Sequence, residues 1–200
     1  MKNVLRRRSR PFRKAAVLAV PTLLLLPAAA GGAETAAVSL GFGWFSPLVD
    51  PDVSEGYGGS ATLFVRFADW LGARAAIDVA RHDLEGSFDD IPYPYTNGDI
   101  VFGPAFEVTR PGSPVALRLF TETGAYWSSY LLGLVWTWGI DFGSTLLWRM
   151  TDYLGLELGL RYHLYNLGPV GARELLCPRT LRPLGVVDRL DLVLAVGMTI

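Results

Sequence analysis

Histidine, carboxylate and a nearby hydroxyl are the materials of proton transfer and nucleophilic catalysis, and this sequence offers one such grouping. His163 is followed by Tyr165 and Asn166, and Asp191 lies on the segment expected beside it. Together they would supply a general base, an orienting carboxylate and a phenolic hydroxyl. A histidine at the outer end of a polar lumen has a second role, as one member of a charge network, and the residue pattern below favours that role. Other reactive side chains are sparse. The single cysteine, Cys177, excludes an internal disulfide and a multi-cysteine metal site, and reads as an incidental thiol. Asp50, Asp52 and Glu55, then Asp83, Glu85, Asp89 and Asp90, are acidic enough to attract Ca²⁺, but their spacing matches no calcium loop and they read as solvated loop. No catalytic residue, cofactor or metal is assigned.

The elements that would carry these groups follow from Leu154–Leu164, in which every even position is large and apolar and every odd one is glycine or charged. Alternate side chains of a strand point to opposite faces, so this period of two predicts a strand; a helix would scatter the leucines around its circumference. The same alternation predicts strands near Ala36–Phe45, Gly58–Ala68, Leu71–Arg81, Ile100–Thr109, Val115–Tyr126, Leu134–Leu147, Leu154–Tyr165 and Leu190–Ile200. Short connectors fall at Asp69-Trp70, Arg110–Pro114 and Trp148–Tyr153. Longer ones fall at Ser46–Tyr57, His82–Asp99 and Asn166–Arg189, with Trp127–Gly133 intermediate. Eight strands with short turns at one end and long loops at the other predict an all-β, eight-stranded antiparallel up-and-down transmembrane barrel.

One face of each strand is apolar, for example Val38, Leu40, Phe42 and Trp44, or Leu190, Leu192, Leu194, Val196 and Met198. The opposite face carries Arg66, Arg74, Asp78, Glu107, Arg118, Glu122, Asp141, Glu157, Arg161, His163 and Asp191 among small residues. An arginine facing lipid at the midplane costs about 2–4 kcal/mol, so four misplaced together would cost on the order of 10 kcal/mol, and the charges are expected inside as a plug of ion pairs. The four-residue Pro111–Pro114 turn sets Glu107 opposite Arg118, and Arg161, Asp141 and Glu157 are expected as near neighbours. Trp70, Trp148 and Tyr153 at the turn end, with Trp44, Tyr126, Trp127, Tyr130, Tyr162 and Tyr165 towards the loop end, are expected to form interfacial aromatic girdles. Pro104, inside strand four, lacks an amide donor and is expected to force a bulge.

Before the first strand, a basic stretch from Lys2 to Lys14 leads into the apolar run Ala15–Leu26 and small residues at 28–33. This predicts a signal peptide over 1–33, cleaved after residue 30 or 33, and a barrel domain over 34–200. The apolar run of about a dozen residues is too short for a helix that needs roughly 20 to span. Of 18 basic residues, seven lie in the signal, leaving 11 against 19 acidic ones, a balance unsuited to nucleic acid. In the last loop, Arg173, Arg179 and Arg182 sit among leucines and are expected to rest on lipopolysaccharide headgroups.

The mature chain, from Ala36 to Ile200, resembles the small outer-membrane barrels related to the transmembrane domain of outer membrane protein A, through the signal, the strand count, the alternation and turns such as Thr151-Asp152-Tyr153-Leu154-Gly155-Leu156. The resemblance implies a monomeric porin-like outer-membrane protein of the Gram-negative envelope. It also implies insertion by the outer-membrane assembly machinery, which reads the last strand, here Asp191–Ile200, ending in Ile200 where the family has an aromatic. The segment Arg161–Asn166 is also similar to the lipid A 3-O-deacylases, which pair a histidine with a serine two residues on; Tyr165 occupies that position, so the nucleophile is missing. The reading is a non-enzymatic, charge-plugged barrel with a structural or surface-interaction role. The alternatives are a lipid-modifying enzyme and a soluble lipocalin-like carrier with the two faces reversed.

Overall fold

A computed structural model describes residues 35–48, 53–84, 94–110, 113–130, 133–169 and 185–200. The signal segment, Cys177, the three loop arginines, most of the loop acids and the side chain of Tyr130 lie outside the described residues. The strands are β1 (Thr35–Pro47), β2 (Val53–Ala68), β3 (Leu71–Leu84), β4 (Pro94–Thr109), β5 (Val115–Tyr130), β6 (Gly133–Arg149), β7 (Leu154–Pro169) and β8 (Val187–Thr199). Each pairs antiparallel with its neighbour in sequence, and β8 closes on β1, giving an eight-stranded barrel. At the seam, Ala36 and Ile200 exchange both backbone hydrogen bonds, at 3.4 and 2.7 Å.

At 13 to 17 residues the strands outrun the 9–11 needed to cross a tilted bilayer, and the excess lies mainly at the loop end. The interval between β5 and β6 therefore shrinks to residues 131–132, shorter than the expected Trp127–Gly133 connector. The turn after β6 is held by Thr151, whose Oγ1 accepts from the amides of Tyr153 at 3.2 Å and Leu154 at 3.0 Å.

Pro104 does not force a bulge. Phe102 pairs with Thr123 and Ala105 with Phe120, so the β4–β5 register is the same on either side of it. Gly103 allows this, because the backbone carbonyl of Thr121 lies where a Cβ would stand, at 2.0 Å. Register shifts occur elsewhere, between β2 and β3 at each end of the pair and in β7, where the β6 partner moves from Tyr165 to Gly168 and Asn166 takes a φ of 64°, a left-handed conformation that asparagine tolerates.

The outer wall is apolar: Leu40, Phe102, Val108, Leu158 and Leu194 are all exposed, Leu40 at 66% and Leu194 at 54%. Such a continuous belt on a closed sheet is a surface for hydrocarbon, where every backbone polar group must find its partner within the protein. Its faces are those of a membrane barrel and the reverse of a lipocalin-like carrier's. Trp70, Trp148 and Tyr153 stand exposed at the turn end, and Trp44, Trp127 and Tyr162 face outward at the loop end. Two of these make polar contacts suited to an interface: Trp44 Nε1 donates to Glu55 at 3.0 Å and the Tyr162 hydroxyl donates to Asp188 at 2.9 Å.

Tyr126 and Tyr165 do not join this girdle. Tyr126 is 2% exposed and Tyr165 3%, and their rings stack inside the barrel with centroids 5.3 Å apart. The reason is parity. Tyr126 shares its face of β5 with Arg118 and Glu122, and Tyr165 shares its face of β7 with Arg161 and His163. Residue type pointed to the interface, but the alternation decides the side.

Candidate functional site: the charged interior

The inward side chains form three tiers along the barrel. Nearest the turn end is a hub on Glu107 of β4. Register places Glu107 directly opposite Arg118, whose Nε donates to Oε2 at 2.8 Å. Glu107 Oε1 accepts from Arg66 and from Arg149, the latter at 2.6 Å. Arg118 also reaches Glu157 on β7 at 3.2 Å, and the Ser39 hydroxyl donates to the same carboxylate at 2.8 Å. The hub is partly open to water, since the side chains of Arg66 and Arg149 are 21% and 35% exposed.

The middle tier joins β2, β3, β5 and β7. Arg74 donates to Glu122 and, at 3.3 Å, to the Thr62 hydroxyl. Arg161 donates to Asp78, to Ser60 at 3.0 Å and to Thr62 at 3.4 Å. The expected neighbourhood of Arg161 with Asp141 and Glu157 is not the one its guanidinium uses. Its partner lies across the lumen, because a long side chain in a narrow barrel reaches a non-adjacent strand as readily as the next one.

The outer tier surrounds His163. Its Nδ1 lies 2.8 Å from Asp141 and its Nε2 2.7 Å from Asp191, with the Tyr126 hydroxyl at 3.5 Å from Nδ1. Arg189 holds both oxygens of Asp191 with two donors, at 2.8 and 2.7 Å, and reaches Asp99 at 2.8 Å and Asn97 at 3.3 Å. His82 extends the tier towards the loops through the Ser54 carbonyl, to which its Nδ1–H donates at 2.9 Å. His163, Asp99, Asp141 and Asp191 are all completely buried. A buried charge is tolerated only when paired, and here Arg189 stands against Asp99 and Asp191 while His163 stands between Asp141 and Asp191.

All eleven charged positions marked in the sequence face the lumen, and of these eleven only Arg66 is more than marginally exposed. Sequence reasoning missed Arg189, Asp99, Asn97 and His82, which it placed in loops, and Arg149, which it placed in a turn. The signal was available. Continuing the period of two outward from Asp191 reaches Arg189, from Val101 it reaches Asp99, and from Asp78 it reaches His82.

The deacylase-like grouping meets the opposite conditions from those a lipid-cleaving site needs. Tyr165 packs against Tyr126, and His163 is sealed between carboxylates with no route to the wall. Among the described residues no cluster of His, Cys, Asp and Glu has the geometry to hold a metal ion.

No protein-family model and no curated protein matches the chain. Solved structures do. Neisserial surface protein A is similar at a TM-score of 0.59 and 16% identity, over 82% of this chain and 96% of that one. The outer membrane protein OprG of Pseudomonas aeruginosa gives 0.52 and 13%, over 84% and 97%. Ail, the attachment invasion locus protein of Yersinia pestis, gives 0.50 and 14%, over 83% and 98%. At these identities the likeness is one of fold: the chain has the architecture of small eight-stranded outer-membrane barrels along nearly their whole length.

Proposed function

We propose that this protein is a non-enzymatic integral outer-membrane barrel whose lumen is plugged by ion pairs, and whose role is structural or surface-interacting. The observation that carries the reading is the contrast between the walls: apolar and exposed outside, charged, buried and mutually paired inside. A closed barrel of eight strands has room for side chains and little else, so a solute pore is disfavoured. Fractionation of expressing cells, followed by an unboiled SDS gel, tests the placement. The protein should enter the outer-membrane fraction and migrate faster unheated than boiled; a soluble species without a heat-dependent shift overturns the reading. Lipid A spectra that change on expression would overturn the non-enzymatic part.

The proposed surroundings are lipopolysaccharide, outer-membrane lipid and, during insertion, the outer-membrane assembly machinery, with the barrel acting as a monomer. Contact with lipopolysaccharide is supported by Arg81. It is exposed on the outer face of β3 near the loop end, directly across from the exposed Tyr57 on β2. A guanidinium there stands at headgroup depth, where it suits a lipid phosphate. Arg81→Gln should weaken retention of lipid A by the detergent-solubilised barrel in native mass spectra; equal retention overturns this contact.

A further inference from the structure

We infer that the barrel is sealed by an aromatic septum, Phe64 with Phe120, which separates the inner charge hub from the two tiers above it and stops ions and protons between them. The inference rests on the closed-barrel reading and goes beyond it by saying which layer makes the seal.

The inward positions of two strands carry the argument. Along β2 they run Arg66, Phe64, Thr62, and along β5 they run Arg118, Phe120, Glu122. In both, a phenyl ring separates a member of the hub from a member of the middle tier. Four other strands repeat the interruption with small or aliphatic residues: Ala105 beyond Glu107, Gly143 before Asp141, Gly159 between Glu157 and Arg161, and Val193 before Asp191. Phe64, Ala105 and Phe120 pack as one buried apolar cluster, exposed by 2%, 0% and 5%.

Glycines make room for the rings. A Cβ on Gly72 would meet Phe64 at 2.5 Å, and one on Gly143 would meet Phe120 at 2.4 Å. The septum is also gripped from both sides. Arg118 of the hub lies over Phe64 with its Cζ 4.1 Å from the ring centroid, and Arg74 of the middle tier lies over Phe120 at 4.0 Å. Such cation–π contacts strengthen in a desolvated setting. Among the described residues no hydrogen bond or ion pair joins the hub to the middle tier. Ser39 and Thr62 are partners in register across β1 and β2, but they bond in different tiers. An apolar constriction excludes water, and an ion crossing it would lose its hydration without a replacement.

The test uses the full-length protein in planar bilayers and in vesicles carrying a pH-sensitive dye, with folding checked by the heat-dependent gel shift. The wild type should give neither current steps nor proton leak. Glu107→Gln and Asp78→Asn, which loosen one tier each, should stay closed. The double variant Phe64→Ala/Phe120→Ala should lose the seal and show steps above the bare-bilayer baseline. Should that variant not fold, Phe120→Ala alone should give smaller steps.

A conducting wild type sinks both the septum and the plugged-barrel reading. A closed wild type with an open Glu107→Gln, or a folded phenylalanine variant that stays closed, sinks the septum and leaves the plug standing. Wild-type proton leak abolished by Thr62→Val would also overturn it, by showing a hydroxyl bypass around the rings.

Discussion

The hub on Glu107 and the tier around His163 are built from the same chemistry, arginine with carboxylate, in two different solvents. Two of the three guanidiniums at the hub are partly wet, whereas Arg189, Asp191, Asp99 and Asp141 at the outer tier are at most 1% exposed. Solvent repays a lost partner at the hub and not at the outer tier. An ion pair is worth what its surroundings leave unscreened, so charge density alone does not locate the part of the charged interior on which stability depends.

This contrast predicts a graded series, read as unfolding free energy by urea titration of the barrel refolded in vesicles. The largest effect should come from Arg189→Met, which strands Asp191 and Asp99 in the dry outer tier; removing one member of a buried pair costs about 3–5 kcal/mol. A cost below that of the hub variants would break the comparison. Leu158→Arg on the lipid face should cost about 2–4 kcal/mol near the midplane and less in a thinner bilayer. Glu107→Gln should fall lower, at about 1–3 kcal/mol, because water can solvate Arg66 and Arg149 once their shared acceptor is neutral. Arg149→Gln should be the mildest, under about 1 kcal/mol, and its cost should shrink further in high salt, while that of Arg189→Met should not.

Much of this was legible in the sequence, for one physical reason: a strand between hydrocarbon and a polar lumen cannot slip by one residue without turning every charge into lipid. The alternation at Leu154–Leu164 therefore settles the inward face, and a turn of fixed length settles that Glu107 meets Arg118. What was not legible falls into two kinds. The strand ends at Asp99, His82 and Arg189 escape a sequence reading because the bilayer sets a minimum strand length and nothing in it sets a maximum. The partnership of Arg161 with Asp78 joins β7 to β3, and only closure brings those strands within reach of each other. Tyr126 is a third lesson, since a residue type that favours interfaces gave way to the face its neighbours share.

The exchange of hydrogen bonds between Ala36 and Ile200 has a consequence for assembly. It ties together residues from opposite ends of the barrel sequence, and no local contact can draw them close beforehand. Until β1 and β8 zip, the sheet carries two raw edges, each a template for another molecule's strand. The last step of closure is thus also the one that ends the danger of mispairing, and the barrel becomes a self-contained object only when its first and last strands meet.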